Sequence, residues 1–253
     1  MIFETHAHYE DGAFAADREA LIKSLPVRGI SPVVNVGSSL ETSRKSVQLA
    51  DKVDFIYAAV GLHPDAAEEA GPVAVRELEQ MAADPKVVAV GEIGLDYHWP
   101  DPPRDVQKKA FAMQLEMAAR LKLPVIIHSR DAEKDTEDML RSWGVPVNTV
   151  LHCYSYSVES AENFLKMGLY FGIGGALTFK KTKKLIEVVK RLPADRILLE
   201  TDCPYMAPEP VRGTRNSSLN LPYVARKIAE IRGVTEEEVI RVTAGNARRF
   251  FHV

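Results

Sequence analysis

The sequence predicts an α/β fold, a single-domain (β/α)8 barrel over residues 1–253 with two extra helices at its C-terminal end. Eight short apolar runs alternate with amphipathic stretches of helical period, at a spacing of roughly thirty residues. The runs are apolar throughout, as expected of parallel strands that are buried on both faces. Eight such units in 253 residues favour a closed barrel over an open, doubly wound sheet.

Each element can be placed from its local pattern. The predicted strands are Ile2–His6, Pro32–Val36, Phe55–Val60, Val87–Glu92, Pro124–His128, Thr149–His152, Leu169–Ile173 and Arg196–Glu200. The predicted helices are Asp17–Leu25, Leu40–Asp51, Ala74–Ala83, Asp105–Leu121, Ala132–Trp143, Val158–Met167, Thr182–Leu192, Leu221–Arg232 and Glu236–Ala247. Ser39, Ser157 and Thr235 stand where N-caps are expected.

Composition excludes several functional classes. A net charge of -3 argues against non-specific coating of nucleic acid, although an enzyme that grips a few phosphates remains open. Two cysteines, Cys153 and Cys203, are too few for a disulfide framework. No apolar run reaches about 18 residues, and no glycine-rich dinucleotide motif follows the first strand. We therefore expect a cytoplasmic enzyme with no membrane partner.

Polar residues that end the apolar runs indicate the chemistry. His6 and His8 lie two positions apart, so on an extended strand both imidazoles face the same side. The strand ends of a barrel all point into one shared cup. Further histidines and acids stand at or just after other strand ends: His63, Glu92, His128, His152 and Asp202. Any one of them alone is as readily a core histidine, a surface acid or a turn residue.

Together these residues predict a metal centre. Four of the five imidazoles, those of His6, His8, His128 and His152, together with the two carboxylates suit divalent zinc, and also manganese, cobalt or nickel. Six ligands exceed the needs of one tetrahedral ion, whereas two ions about 3.5–4 Å apart would use them all. A carboxylate can bridge two ions, and such a centre lowers the pKa of bound water to near 7, so no serine or cysteine nucleophile is needed.

The motifs around these residues resemble those of the TatD-type deoxyribonucleases, a family of amidohydrolase-like metallo-dependent hydrolases. The resemblance covers essentially the whole chain. It rests on the segments Thr5–His8, Gly61–Pro64, Gly91–Tyr97, His128–Ala132, His152–Ser155, Glu200–Tyr205 and Thr243–Phe250.

The resemblance implies a TIM barrel that holds two divalent ions, with zinc, magnesium and manganese all open. One ion would be held by His6, His8 and Asp202, and the other by His128 and His152. Glu92 would bridge the two ions. Asp202 would also orient or deprotonate the attacking water.

The resemblance also implies substrate contacts. His63 would act on the substrate phosphate as a catalytic and binding residue. Arg130 and Tyr154 would lie beside it at the rim, and Lys180, next to Phe179 after the seventh strand, would bind phosphate. Ordinary loop structure is the alternative for Arg130 and Tyr154, and a solvated helix start for Lys180.

The activity implied is hydrolysis of DNA phosphodiester bonds, on single strands from the 3′ end. An alternative keeps the metal-activated hydroxide but changes the bond to a small ester, lactone or amide, or to an aminoacyl-tRNA ester. A non-catalytic binding module is a third alternative, and it predicts lost ligands. All six ligand positions are filled in this sequence.

Two departures from the family pattern bear on the site. Glu4 stands where the family commonly has aspartate, on the same strand face as His6, and its extra methylene could alter support for the metal. The loop over residues 213–222 is longer than usual, so either Asn216 or Asn220 could take the place of the family's asparagine.

Overall fold

Eight parallel strands form one sheet whose spatial order follows the chain, from β1 to β8, in a computed structural model that describes residues 1–253. A backbone bridge between Ala7 and Cys203 joins the end of β1 to the segment after β8. The predicted barrel is therefore confirmed. The strands are β1 (Ile2–Ala7), β2 (Ile30–Val36), β3 (Ile56–Val60), β4 (Val87–Asp96), β5 (Val125–Arg130), β6 (Thr149–Leu151), β7 (Tyr170–Ile173) and β8 (Ile197–Leu199).

A helix follows every strand, and one more helix ends the chain. Both helices predicted after the last strand are present: α8 completes the eighth β/α unit, and α9 is additional to the eight units. The helices are α1 (Arg18–Ser24), α2 (Leu40–Lys52), α3 (Pro72–Met81), α4 (Arg104–Leu121), α5 (Glu133–Trp143), α6 (Val158–Lys166), α7 (Lys183–Arg191), α8 (Leu221–Arg232) and α9 (Glu236–Phe251). None of these helices is both long and apolar enough to span a bilayer.

Side-chain caps start three of these helices where the sequence predicts them. Ser39, Ser157 and Thr235 each accept a hydrogen bond from the backbone N–H three residues further on. Such a bond satisfies one of the N–H groups that the first helical turn leaves without a partner. The start of each helix, and hence the length of each loop before it, is therefore set locally.

The interior of the barrel and one face of α9 share a single apolar cluster. Inward positions such as Val34 and Val36 alternate along a strand, and small residues such as Ala59 fill the narrow lumen. The cluster consists of Phe3, Val34, Val36, Ala59, Val88, Ala89, Ile126, Val150, Tyr170, Leu198, Ala244, Ala247, Phe250 and Phe251. A separate, larger cluster of 49 residues packs between the strands and the outer helices.

Helix α9 closes the amino-terminal end of the barrel. The Phe251 ring stacks on Phe3 of β1 at 5.8 Å, and Phe250 meets the edge of Tyr170 of β7 at 5.1 Å. The Asn246 side chain donates to the backbone carbonyls of Ala194, just before β8, and of Ile197, its first residue, each at 2.8 Å. These contacts explain why α9 runs to Phe251, beyond its predicted end at Ala247. The open end of the barrel is the opposite one, where the strands finish.

We expect Phe250→Ala to lower the free energy of unfolding by about 3–5 kcal/mol, because it removes a fully buried ring and leaves a cavity. Urea denaturation would measure the change. Val234→Ala is the matched control. Val234 is 43% exposed, so its substitution should lower the free energy of unfolding only slightly. Equal losses for the two variants would show that α9 does not close the barrel as described.

Candidate metal centre

The polar residues predicted as ligands converge at the carboxyl ends of five strands. His6, Glu92 and His128 lie within β1, β4 and β5, while His8, His152 and Asp202 lie just beyond β1, β6 and β8. Neighbouring backbone bonds fix two of these segments to each other: Asp202 N–H donates to the carbonyl of His6, and His8 N–H donates to the carbonyl of Cys203. The two ends of the barrel sheet therefore meet at the site.

One half of the centre is formed by β1 and the segment after β8. The Nε2 atoms of His6 and His8 lie 3.1 Å apart. Glu92 Oε2 lies 3.5 Å from His6 Nε2 and 3.8 Å from His8 Nε2. Asp202 Oδ1 lies 3.3 Å from His8 Nε2 and 3.8 Å from His6 Nε2. Two imidazole nitrogens and two carboxylate oxygens thus surround one point.

The other half is formed by the ends of β5 and β6. His128 Nδ1 and His152 Nε2 lie 3.1 Å apart. Glu92 Oε1 lies 2.8 Å from the first and 2.6 Å from the second. The two oxygens of one carboxylate therefore face two different pairs of imidazole nitrogens. This is the arrangement that a bridging carboxylate requires.

The nitrogen atoms that do not face Glu92 show how the rings are held. His8 Nδ1 contacts the carbonyl of Val36 at 2.8 Å, and His128 Nε2 contacts Asp96 Oδ2 at 2.9 Å. Such partners select the tautomer that leaves the other nitrogen free to bind a metal. His6 Nδ1 and His152 Nδ1 are buried without a hydrogen-bond partner.

The electrostatics of the centre favour a bound cation. No lysine or arginine forms an ion pair with Glu92 or Asp202. Burial opposes ionisation of Glu92, but the charges of His152 and His63 and the hydrogen bonds of His128 and His152 hold its pKa well below the usual range. Burial likewise lowers the pKa of His128, whereas hydrogen bonds to Asp96 and Glu92 raise it to about 9. A proton on His128 thus supplies positive charge beside Glu92, and a divalent ion that displaced this proton would supply positive charge in its place.

Three subsets of these residues bring their ligand atoms within 4.8 Å of one another, the spacing needed to hold an ion. They are His6 with His152 and Asp202, His6 with His8 and Glu92, and His63 with Glu92 and His128. The first two lie within the predicted ligand set. The third adds His63, which the sequence assigned to the substrate.

His63 differs from the other histidines in the hydrogen bond that it makes. Its Nδ1 accepts the backbone N–H of Asp65 at 3.2 Å and lies 3.4 Å from Asp65 Oδ2, so Nε2 is the ring nitrogen that faces the centre. That Nε2 lies 3.8 Å from Glu92 Oε1, at the edge of the centre. A proton on Nε2 would let the ring donate a hydrogen bond to a substrate at this edge.

The two cations predicted to contact the substrate are exposed to solvent. Arg130 is exposed at the end of β5, where it pairs in register with Asp96 of β4, and Lys180 is exposed after β7. Neither side chain forms an ion pair, so both are free to bind an anion.

Tyr154 is not at the rim: it is 3% exposed, packs edge-on against Phe171, and donates from its hydroxyl to a backbone carbonyl. Tyr154 is therefore left out of the substrate contacts proposed below, because its polar atom is already engaged.

Asp96 is a residue of the centre that the sequence prediction missed. It is 4% exposed, contacts His128 Nε2 through Oδ2 and accepts the backbone N–H of His98 on Oδ1. The available signal was its spacing, since Asp96 lies four positions after Glu92 and therefore on the same face of an extended strand. The prediction ended β4 at Glu92, whereas the strand continues to Asp96.

Glu4 and Asn216 support the segment that carries Asp202. Glu4 is fully buried and accepts hydrogen bonds from Thr201 N–H at 2.9 Å and from the Thr201 hydroxyl at 2.6 Å. Burial raises the pKa of Glu4 to about 7. The buried Asn216 donates to the carbonyls of Thr201 and Tyr205, while Asn220 donates to Asn216. Of the two candidate asparagines, Asn216 is therefore the one that holds the loop after β8.

Comparison with known proteins identifies the family of the chain. A family model described as TatD related DNase matches residues 3–252. The chain belongs to the TatD-related DNase family. Like its relatives it is a metal-dependent hydrolase.

Full-length relatives of the TatD family are similar along the whole chain. The uncharacterized metal-dependent hydrolase YabD of Bacillus subtilis is 41% identical, with 100% of each chain covered. The 3′-5′ ssDNA/RNA exonuclease TatD of Erwinia tasmaniensis is 33% identical, again with 100% of each covered. The crystal structure of the TatD homologue YjjV from Escherichia coli superposes with a TM-score of 0.94 at 32% identity, covering 100% of this chain and 98% of the other.

We expect Asp96→Asn to weaken metal binding about 10- to 100-fold, because it removes the carboxylate that orients His128. Titration of the metal-free protein with Zn²⁺ or Mn²⁺ would measure the dissociation constants. Asp131→Asn is the matched control, because this substitution removes the same charge from an exposed residue in the loop after β5. Unchanged affinity in Asp96→Asn would show that Asp96 does not support the metal.

Proposed function

We propose that the chain hydrolyses phosphodiester bonds of DNA with two divalent ions, removing nucleotides from the 3′ end of single strands. The observation that carries the proposal is the placement of Glu92, whose two oxygens face two separate pairs of imidazole nitrogens. The substrate is suggested by the relatives named 3′-5′ ssDNA/RNA exonucleases in Erwinia and Rahnella.

The proposed ligands follow the two halves of the centre. His6, His8 and Asp202 would hold one ion, His128 and His152 the other, and Glu92 would lie between them. Zinc suits the imidazole nitrogens of this donor set, whereas magnesium and manganese suit its carboxylate oxygens. When bound, such ions polarise the phosphate and lower the pKa of a nearby water.

Asp202 would accept the proton of the attacking water. Burial opposes its ionisation, but the hydrogen bond from His8 and the charges of His152 and His6 keep its pKa below the ordinary value. Its side chain keeps 18% of its surface exposed, so water can reach it. An ionised, accessible carboxylate can accept a proton at Oδ2, the oxygen that does not face His8.

His63 and two cations would act on the phosphate. The N–H of His63 Nε2 would donate to a non-bridging oxygen, where negative charge increases during attack. Arg130, exposed at the end of β5, would bind the scissile phosphate, and Lys180, exposed after β7, would bind a phosphate further along the strand.

The two thiols are unsuited to nucleophilic catalysis. Cys203 is fully buried, and burial raises the pKa of its thiol to about 12. Burial also raises the pKa of Cys153, well above the ordinary value. Both thiols are therefore protonated at neutral pH, and a thiolate attack on the substrate would lack its nucleophile. This supports direct attack by water.

We expect the protein to release mononucleotides from the 3′ end of a 5′-labelled single-stranded oligonucleotide when Mg²⁺ or Mn²⁺ is present. His128→Ala should reduce the rate at least 100-fold, on the order of the effect of losing a metal ligand or a key catalytic donor. His252→Ala is the matched control, since His252 is exposed beyond α9. Full activity in His128→Ala or after chelation would contradict the metal mechanism. Cleavage of aminoacyl esters or lactones, but of no oligonucleotide, would contradict the substrate.

We expect His63→Ala to lower kcat about 100-fold while leaving the metal content unchanged, because His63 donates a hydrogen bond and does not coordinate. Metal analysis of the purified variant and single-turnover cleavage would measure the two effects separately. Loss of one bound ion per chain in His63→Ala would instead assign His63 to the metal, as its grouping with Glu92 and His128 allows.

A further inference from the structure

Two aromatic side chains remain exposed at the open end of the barrel. Trp99 is 57% exposed and Tyr205 is 56% exposed, and no other aromatic residue is among the large apolar side chains that the fold leaves in solvent. Trp99 lies three residues after β4, and Tyr205 lies six residues after β8. Neither ring is required by the packing of the apolar clusters.

The topology places the two rings on opposite sides of the metal centre. The strands follow one another in chain order around the barrel, so β4 and β8 are separated by the same number of strands in either direction. Loops that follow β4 and β8 therefore face each other across the cup. The proposed ligands of the two ions lie between them.

Tyr205 is held beside the half of the centre that contains His8. Its ring centroid lies 6.4 Å from that of His8, with the planes at 64°. Its backbone N–H donates to the carbonyl of Asp202 at 2.9 Å, and its hydroxyl donates to Asp11 Oδ2 at 3.2 Å. The ring is thus fixed at both ends while much of its surface stays open.

A short chain of contacts connects Trp99 to the other half of the centre. Its ring meets the His98 ring at 4.8 Å, nearly perpendicular at 87°. His98 N–H donates to Asp96 Oδ1, and the other oxygen of Asp96 contacts His128. His98 Nδ1 lies 3.3 Å from Asp131, which restrains the imidazole. Trp99 therefore has a defined position relative to His128.

We propose that Trp99 and Tyr205 are stacking surfaces for the two bases on either side of the scissile phosphate. This inference rests on the proposed function. One phosphodiester joins two nucleosides, and the centre has one exposed ring on each side. Aromatic rings stack on any base, so the site would grip the strand without reading its sequence. Bases within a duplex are already stacked and paired, which accounts for a requirement for single strands or frayed ends.

The charge of the rim orients the strand between the two rings. The loops after β7 and β8 carry the exposed cations Lys180, Lys181 and Arg212. On the opposite side, one exposed cation, Arg130 at the end of β5, is outnumbered by five exposed acids in the loops after β3, β4 and β5: Asp65, Glu68, Glu69, Asp101 and Asp131. The remaining strand, with its row of phosphates, would leave over the basic side, past Tyr205. The 3′-terminal base would then stack on Trp99 and the penultimate base on Tyr205.

Assaying each ring variant on each abasic substrate tests the proposal. The substrates are an intact single strand and two copies that carry an abasic tetrahydrofuran unit at the 3′-terminal or the penultimate position. Trp99→Ala should raise KM about tenfold on the intact strand, but cause no further loss on the strand with the terminal abasic unit. Tyr205→Ala should couple in the same way to the penultimate unit. Trp99→Phe should restore most of the affinity, and Trp143→Phe, far from the rim on α5, should change nothing.

If the effects of a ring variant and of an abasic unit on KM simply multiply, the ring does not stack on that base, and the stacking contacts are overturned. If Trp99 couples to the penultimate base and Tyr205 to the terminal base, the orientation is overturned. Binding gives a second measurement that does not need cleavage. In Trp143→Phe, Trp99 is the sole tryptophan, and a cleavage-resistant phosphorothioate strand should quench its fluorescence only when the terminal base is present. Absence of that difference would overturn the inference even if the protein degrades DNA. Quenching without any cleavage would instead contradict the proposed function alone.

Discussion

The carboxylate of Glu92, buried among imidazoles, is the interaction on which the rest of the centre depends. An isolated buried carboxylate would be costly, and its surroundings must supply positive charge. Here His128 and His152 approach one oxygen, and His6 and His8 approach the other. The arrangement commits four strands to end at one place, because each imidazole must reach a single side chain on β4.

The closed lower end of the barrel complements this open upper end. Apolar side chains fill the lumen, and α9 covers it with two phenylalanine rings. Water therefore has access to the polar residues from one side only, and the buried carboxylates Glu4 and Glu200 lie between the two regions. Burial raises the pKa of Glu200 to about 8, so this layer is less charged than its composition suggests. The change from polar to apolar thus runs along the barrel axis.

The fold and the gathering of the ligand residues were predictable because both follow from repeated local patterns. Apolar strands that end in histidine or acid show their direction and burial, and a barrel brings their ends together. What the sequence could not show depends on side-chain rotation and distant contacts. Tyr154 turns into the core and satisfies its hydroxyl there, whereas Asp96 reaches His128 only because β4 runs four residues beyond its predicted end. Exposed residues such as Trp99 carry no periodic signal, so their position at the rim required the structure.

The bridge between Ala7 and Cys203 has a consequence for folding. It brings His6 and His8 of the first strand beside Asp202, which follows the last strand, so these three residues meet only when the sheet closes on itself. Contacts between residues so far apart in the sequence carry a large entropic cost of loop closure. A partly folded molecule whose barrel is still open therefore lacks one side of the proposed metal site. Such a molecule would be inert, whichever bond the finished site hydrolyses.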